Sequence, residues 1–165
     1  INFFGLLMER WHANSKFGTI EFTGTEEGVT ALKFVSTPDN FTAPQTAFQH
    51  TVVKQTEAYF SQTSRSFSFP LAMEGTAFQV KIWKLLLEIP FGTTTTYLNL
   101  ARKHGDVKAI RAVAHAIGKN PILIAIPCHR VLGSDGSLVG YSGGLENKVK
   151  LLEHEGSPVQ KSLDL

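Results

Sequence analysis

The pattern of apolar residues changes at Gly75, and this change most constrains what the chain can fold into. Before that glycine, two β-type segments flank a polar turn and an amphipathic segment follows them. After it, apolar residues recur at the spacing of helices. The segments before Gly75 predict a β-hairpin and then a helix, at Thr19–Phe22, Thr30–Phe34 and Thr46–Phe60.

The polar, serine-rich stretch Ser61–Ser68 precedes this change and is interpreted as a link between domains. The predicted domains are an N-terminal supporting α/β domain over residues 1–75 and a C-terminal domain over residues 76–165. We therefore expect an α/β (α+β) fold, in which a sheet-plus-helix domain packs on a mainly helical domain. The C-terminal domain is expected to carry the chemistry and a helix-turn-helix.

Composition excludes several classes of protein. The chain has 165 residues, of which 42% are hydrophobic and 18% charged, which suits a packed core and excludes a disordered chain. No apolar run reaches the roughly 20 residues of a membrane-spanning helix. Ile1–Arg10 lacks the basic start and cleavage site of a secretory signal, so none is expected.

Cys128 is the one cysteine of the chain, which excludes a disulfide within it and a zinc site of several cysteines. A reducing cytosol is the expected setting. The six histidines form no His-x-x-His or His-x-x-x-His pair. The scattered histidines leave a metal site formally possible without supporting one, and we predict neither a metal nor a cofactor.

The residues after Gly75 predict three helices. The first carries Phe78 to Ile89 and stops at Pro90. The run of threonines at 93–96 offers N-caps for a second helix to about His104, Gly105 breaks it, and a third follows over 106–118. This order is the outline of a helix-turn-helix, which many small helical domains share.

The second half of the chain is basic. Residues 1–75 have a net charge of −2 and residues 76–165 a net charge of +4. On the predicted third helix, a polar stripe is interrupted by alanines at 112 and 114. It is either a solvated basic face or a recognition helix that approaches nucleic acid closely, with the stripe Lys108, Arg111, His115 and Lys119.

The segment that leads to Cys128 is the most informative one. Ile122–Ile126 lies between two prolines and is predicted to be buried and extended. A lone cysteine is usually a small buried hydrophobe. Here its neighbours His129 and Arg130 favour a thiolate, and five glycines between positions 133 and 144 suit a loop that closes over a small ligand.

Several ordered motifs resemble the O6-alkylguanine-DNA alkyltransferase family, over about residues 11–160. The resemblance is strongest around the cysteine and extends to the hairpin of the first half. The motifs are Glu27-Gly-Val-Thr-Ala-Leu32, Trp83-Lys84, Tyr97, Arg111-Ala-Val113, Asn120-Pro121, Pro127-Cys-His-Arg130, Tyr141-Ser-Gly-Gly144 and His154-Glu-Gly156.

The resemblance implies DNA repair by direct, stoichiometric and irreversible transfer of an alkyl group to Cys128. The substrates implied are O6-alkylguanine and also O4-alkylthymine in duplex DNA, and the target base would be flipped out. His129 would act as a base through a water, and Glu155 would orient it. Asn120 would be a hinge residue, and Tyr97 would donate to guanine and turn the nucleotide outward.

The resemblance also implies binding residues. The carbonyls of Cys128 and Val131 would accept from the exocyclic amine of guanine, Ser142 would donate towards O6, and Tyr141 with Gly143 would wall the pocket. Arg111 would fill the space that the flipped base leaves. The other implied DNA contacts are Thr94, Thr95, Ala112, Ala114 and Ser134. A monomer acting in the minor groove is expected, without a membrane, in a bacterial cytosol or, in a eukaryote, in the nucleus.

The chain departs from the family at several positions. The zinc ligands of some members are missing from its N-terminal half. Ile110 and His115 are bulkier than the usual residues of their helix, and the outward-facing His115 is expected to affect DNA docking. Leu123 replaces a proline that lines the pocket in some members, which concerns the tolerance of bulky alkyl groups.

Three other functions are weighed against alkyl transfer. A DNA-binding relative that only flags the lesion would lack the acceptor, yet Cys128 is present. A cysteine hydrolase would have to use two adjacent residues, Cys128 and His129, as nucleophile and base. A helix-turn-helix regulator leaves the cysteine segment unexplained. Taken without the resemblance, Glu155 is also expected simply to end a C-terminal helix, Glu146–Glu155, as a solvated charge.

Overall fold

The computed structural model describes residues 7–158, and the chain divides after Glu74 into two compact units. The mixed α/β fold class is confirmed. The first unit contains an antiparallel sheet in chain order and one helix: β1 (Glu9–Ser15), β2 (Gly18–Thr25), β3 (Gly28–Val35) and α1 (Ala47–Phe60). The second unit contains α2 (Ala77–Leu86), β4 (Thr95–Thr96), α3 (Tyr97–His104), α4 (Ile110–Gly118), β5 (Val131–Leu132) and α5 (Leu145–His154).

The sheet of the first unit has a strand that sequence analysis missed. The predicted hairpin corresponds to β2 and β3, but β1 pairs with β2 along its whole length. In β1 the large apolar residue is Trp11, whose ring stacks on Phe22 at 5.6 Å between centroids. His12 is also buried, with Nε2 3.1 Å from the carboxylate of Glu21. A buried histidine in place of an apolar residue hides the alternation that marks a strand.

The serine-rich stretch Ser61–Ser68 is held within the first unit and is not a free link. The side chain of Gln55 on α1 accepts a hydrogen bond of 2.7 Å from the amide of Ser68. Just beyond, Val29 of β3 donates to Pro70 and accepts from Ala72. The chain therefore pairs with the edge of the sheet before it enters the second unit.

Two helices of the second unit, α2 and α3, begin at threonine caps. Thr76 and Gln79 form a reciprocal capping box on α2. Of the four consecutive threonines, Thr96 caps α3 by accepting from the amide of Asn99 at 3.1 Å. Gly105 ends α3 with a φ of 106°, in the left-handed region that favours glycine.

Two helix boundaries differ from those predicted. The first helix ends at Leu86 rather than Ile89, because the amides of Glu88 and Ile89 bond three residues back, as in the tighter 3₁₀ geometry. The third helix begins at Ile110 rather than Asp106. Asp106 instead caps a 3₁₀ turn, Val107–Ala109, by accepting from the amide of Lys108. Both changes are confined to the ends of the helices, where 3₁₀ turns are common.

The core of the second unit is joined by a buried indole. Trp83 on α2 is 1% exposed, and its Nε1 donates to the carbonyl of Ala116 on α4 at 2.8 Å. Val113 and Ile117 are buried on the same face of α4, while Ile110 is half-buried. The bond fixes α4 against α2, so the exposed face of α4 has a defined position in the unit. Within residues 7–158, no helix is long and apolar enough to cross a membrane.

We expect Trp83→Phe to lower the free energy of unfolding by about 2 kcal/mol, since it removes a buried hydrogen bond and part of a core ring. Urea unfolding followed by circular dichroism measures this. Lys84→Ala, at the exposed neighbouring position of α2, is the control and should leave the midpoint nearly unchanged. Equal midpoints for Trp83→Phe and the wild type would contradict the role of the indole.

Candidate active site around Cys128

The segment before Cys128 is buried but is not extended. The prediction of an extended Ile122–Ile126 is wrong, because the amide of Ile126 bonds back to the carbonyl of Ile122 at 3.0 Å and closes a turn. Ile124 in this turn has a φ of 68°, which is rare for a β-branched residue and costs of order 1–3 kcal/mol. Its side chain is 1% exposed, so burial offsets this strain. The turn thereby gives Cys128 a fixed backbone position.

Asn120 holds both ends of this turn. Its Oδ1 accepts from the amide of Ile122 at 2.9 Å, and its Nδ2 donates to the carbonyl of Ile126 at 2.8 Å. The same Nδ2 lies 3.2 Å from Sγ of Cys128. Asn120 is 4% exposed, which makes these bonds costly to lose. The side chain predicted to be a hinge thus contacts the sulfur and the backbone that carries it.

Behind Cys128, the 3₁₀ turn Cys128–Arg130 meets the end of α5 through a buried carboxylate. Nε2 of His129 lies 2.8 Å from Oε1 of Glu155. Arg130 donates to both oxygens of Glu155, from Nε at 2.8 Å and from an Nη at 2.9 Å, and its other Nη donates to the carbonyl of Ile89. A bidentate pair of this kind fixes direction as well as charge.

Glu155 is therefore not a solvated charge at the end of a helix. The helix runs from Leu145 to His154 and Glu155 is its C-cap, but the side chain is fully buried. Burial alone would raise the pKa of Glu155, yet the hydrogen bonds from His129 and Arg130 outweigh it and hold that pKa well below its usual range. The carboxylate stays ionised, so His129 presents Nε2–H to it and leaves Nδ1 as an acceptor. Nδ1 is buried and has no hydrogen-bond partner among residues 7–158.

The protonation states at the centre differ from those that the sequence suggests. Burial raises the pKa of the Cys128 thiol to about 11, although the bond from Asn120 and the charge of Lys148 both lower it. Arg130, the neighbour expected to favour a thiolate, is paired with Glu155 instead. Burial also lowers the pKa of His129. The resting site thus pairs a protonated thiol with a neutral imidazole.

Cys128 lies in the wall of a cavity of about 380 Å³. The parallel pair of β4 with β5 places the start of α3 beside the reactive turn, and so brings Tyr97 to this cavity. The hydroxyl of Tyr97 donates to the carbonyl of Val139 at 3.3 Å. Most of the lining comes from three parts of the second unit: Tyr97; Ala114, Ile117 and Gly118; and Val139, Gly140, Tyr141 and Ser142.

The predicted acceptor carbonyls already have partners in the protein. The carbonyl of Cys128 accepts from the amide of Val131. The carbonyl of Val131 accepts from Nζ of Lys148 at 2.7 Å. A carbonyl oxygen has two lone pairs, so each can accept one further hydrogen bond.

Of the predicted DNA-contact residues, Ala114 lines this cavity and the other five do not. Arg111 and Ala112 are exposed on α4, and Ser134 is exposed between β5 and α5. Thr94 and Thr95 line a separate cavity of about 570 Å³, together with residues of α3.

Gly143 and Leu123 lie close together beside Tyr141. A side chain at Gly143 would meet the ring of Tyr141 at 2.6 Å and the side chain of Leu123 at 3.1 Å. Leu123 is 3% exposed. The close approach explains why a glycine stands at this position.

Two residues of the site were missed by sequence analysis. Arg130 stands in the quoted motif, but nothing in the sequence shows that it pairs with Glu155. Lys148 is fully buried, and it shares the buried stripe of α5 with Leu151 and Leu152, at helical spacing. That spacing is a signal that could have placed it inside. Among residues 7–158, no group of three or more His, Cys, Asp or Glu side chains is arranged to hold a metal ion.

The fold and the site define a protein with a buried, free cysteine in the wall of a cavity, beside a helix that exposes Arg111 and His115. Models of the 6-O-methylguanine DNA methyltransferase family match both units. The ribonuclease-like domain matches residues 10–73 and the DNA binding domain matches residues 77–157. The chain belongs to this family.

Relatives and solved structures agree with this assignment. The methylated-DNA–protein-cysteine methyltransferase of Methanosarcina acetivorans is 43% identical over 149 residues, covering 87% of this chain and 95% of the relative. The crystal structure of the O6-methylguanine methyltransferase of Mycobacterium tuberculosis has a TM-score of 0.81 and 36% identity, covering 90% of this chain and 93% of that one. A structure of the M. tuberculosis protein in complex with DNA has a TM-score of 0.80 and 37% identity, covering 88% and 91%.

We expect Glu155→Gln to lower the free energy of unfolding at pH 7 by about 3 kcal/mol, because it leaves the buried charge of Arg130 without its partner. A carboxylate with a lowered pKa stabilises the fold above the pKa of the unfolded chain, and this stabilisation disappears as the pH falls. The wild type should therefore lose stability below about pH 5, and the variant should lose less over the same range.

Urea unfolding at several pH values tests this expectation. Glu146→Gln, an exposed position of the same helix, is the matched control and should follow the wild type. Parallel pH curves for Glu155→Gln and the wild type would show that Glu155 does not act as a buried anion.

Proposed function

We propose that the chain repairs DNA by transferring the alkyl group of O6-alkylguanine in duplex DNA to Cys128, once per molecule. Members of its family carry the name methylated-DNA–protein-cysteine methyltransferase. The observation that carries the proposal is the position of the thiol. Cys128 lines the cavity, and its sulfur accepts a hydrogen bond from Asn120. The next residue in the chain, His129, is paired with Glu155. O4-alkylthymine is proposed as a second substrate on the same chemistry.

The proton of the thiol needs an acceptor, because burial keeps Cys128 protonated at rest. His129 accepts this proton at Nδ1, the ring nitrogen that faces away from Glu155, through a bridging water. Glu155 then stabilises the imidazolium that forms. This is the usual arrangement of a nucleophile, its base and a group that orients the base.

The transfer step forms one bond and breaks one. The sulfur of Cys128 attacks the alkyl carbon, the bond from that carbon to O6 breaks, and its electron pair goes to the guanine. A proton is then delivered to the dealkylated nucleobase, which becomes ordinary guanine. The protein retains a thioether. Since thiols do not exchange with thioethers, the protein is not regenerated.

The alkylated guanine is bound between the α3 side of the cavity and the side formed by residues 139–142. Tyr97 donates to the ring of guanine after leaving the carbonyl of Val139, and Ser142 donates towards O6, where negative charge develops. The free lone pairs of the Cys128 and Val131 carbonyls accept from the exocyclic amine. Tyr141 and Gly143 form the wall beside the ring.

DNA binding is assigned to the exposed face of α4 through the minor groove. Arg111 is long and exposed, whereas Ala112 and Ala114 are small enough for close approach. Arg111 enters the stack and replaces the flipped base. The proposal also includes contacts from Thr94, Thr95 and Ser134, a monomer as the active form and the cytoplasm as its location.

A cysteine hydrolase is the second candidate, since a thiol and an imidazole are present. The geometry favours alkyl transfer, because the amide of Cys128 donates a hydrogen bond to the carbonyl of Ile126. That amide is therefore not available to an oxyanion.

We expect the intact mass of the protein to rise by one methylene, about 14 Da, after mixing with a duplex that contains O6-methylguanine. The increase should stop at one group per chain and should be located on the peptide of Cys128. Cys128→Ala should bind the duplex and gain no mass. Turnover of many lesions by a small amount of protein would contradict the single-use mechanism, and transfer by Cys128→Ala would contradict the assignment of the acceptor.

We expect Arg111→Ala to slow transfer from duplex DNA by about a hundredfold while leaving transfer from a free alkylated base nearly unchanged, since the arginine replaces stacking that only a duplex loses. Rapid-quench kinetics at saturating DNA measure both reactions. Lys108→Ala, an exposed control near the start of α4, should weaken duplex binding without slowing the bound complex. Equal losses on both substrates would assign Arg111 to the cavity or to folding.

A further inference from the structure

The buried lysine of α5 has no place in the reaction described so far. Lys148 is 0% exposed, which is rare for a lysine unless its charge is paired or fully hydrogen-bonded. Its Nζ donates to the carbonyls of Val131 at 2.7 Å, Val139 at 2.9 Å and Gly140 at 3.3 Å. An ammonium has three donors, and all three are used.

These three carbonyls belong to the parts of the chain that bind the base. Val131 follows the reactive turn, and Val139 and Gly140 begin the stretch 139–142 of the cavity wall. Gly140 has a φ of 40° and Gly144 a φ of 88°, so the wall is built on backbone that has few conformational restraints of its own. Lys148 ties it to a helix whose face is packed in the core.

We propose that Lys148 is a positioning residue for base binding, which as an ammonium holds the wall at 139–142 at a fixed distance from Cys128. The inference rests on the proposed function. It assigns Lys148 to the affinity of the cavity for the alkylated base and not to the transfer step itself.

The charge state of Lys148 decides whether it can hold the wall. A neutral amine has two donors and a lone pair, and that lone pair would face a carbonyl oxygen. Burial lowers the pKa of Lys148 to about 8, while a thiolate at Cys128 would act in the opposite direction. The titratable groups whose charges reach it are Cys128 and His129 on the reactive turn. The wall should therefore loosen as the pH rises through about 8.

The test measures single-turnover transfer from a free alkylated base and from a duplex as a function of substrate concentration. In Lys148→Met, which has a similar length but no donor, the half-saturating concentration should rise about tenfold for both substrates at pH 7. The maximal rate should change less than about threefold. Lys150→Met is the matched control, since Lys150 is a partly exposed lysine of the same helix that pairs with Glu146.

The pH profile separates positioning from a purely structural role. In the wild type the half-saturating concentration should rise above about pH 8, whereas in Lys148→Arg this rise should be absent, because a guanidinium stays protonated. If Lys148→Met does not fold, this comparison decides by itself. A lower maximal rate with unchanged half-saturation would place the effect on the thiol and overturn the proposal, as would identical pH profiles for Lys148→Arg and the wild type.

Amide hydrogen exchange gives a readout that needs no reaction. Exchange over residues 133–144 should be faster in Lys148→Met than in the wild type and Lys150→Met, and faster in the wild type at pH 9 than at pH 7 once the intrinsic rates are corrected. Unchanged exchange would overturn the inference about Lys148. A wild type that fails to transfer the alkyl group would instead overturn the proposed function.

Discussion

The carboxylate of Glu155 holds together three separate parts of the second unit. It accepts from His129 and Arg130 on the reactive turn, and Arg130 reaches on to the carbonyl of Ile89, beyond the end of α2. Each of these side chains is buried, so each hydrogen bond also satisfies a group that has lost water. The tautomer of His129, the direction of Arg130 and the end of α5 therefore depend on one ionised group.

The sequence predicted most of what is local in this fold. Thr96 and Gly105 lie where an N-cap and a left-handed C-cap are expected, and the helix of the first unit follows Thr46 as its pattern indicates. The strand β1 was missed because its buried polar residue, His12, depends on Glu21 of the neighbouring strand. That partner is fixed by pairing across the sheet, which a single segment does not reveal.

The same distinction applies to the site. Cys128, His129 and Asn120 could be located from a short motif, since all three lie within residues 120–129. The pairing of Arg130 with Glu155 joins positions 25 residues apart, and the three acceptors of Lys148 come from β5 and the following loop. These contacts are tertiary, so the sequence pattern shows that the residues are present but not which partners they have. The turn at Ile124 escaped prediction for a related reason, because a buried β-branched side chain normally favours a strand.

A buried and protonated thiol suits a protein that can react once. A permanently ionised cysteine would react with any small electrophile or oxidant that reached it, and each such event would consume a molecule. Burial keeps the pKa of Cys128 high, and the bond from Asn120 holds the sulfur without ionising it. Under the proposed function, the neutral His129 accepts the thiol proton, so the thiolate need form only when a substrate occupies the cavity. Under the proposed function, the desolvation that makes the cysteine a poor nucleophile in the free protein protects it until the damaged base arrives.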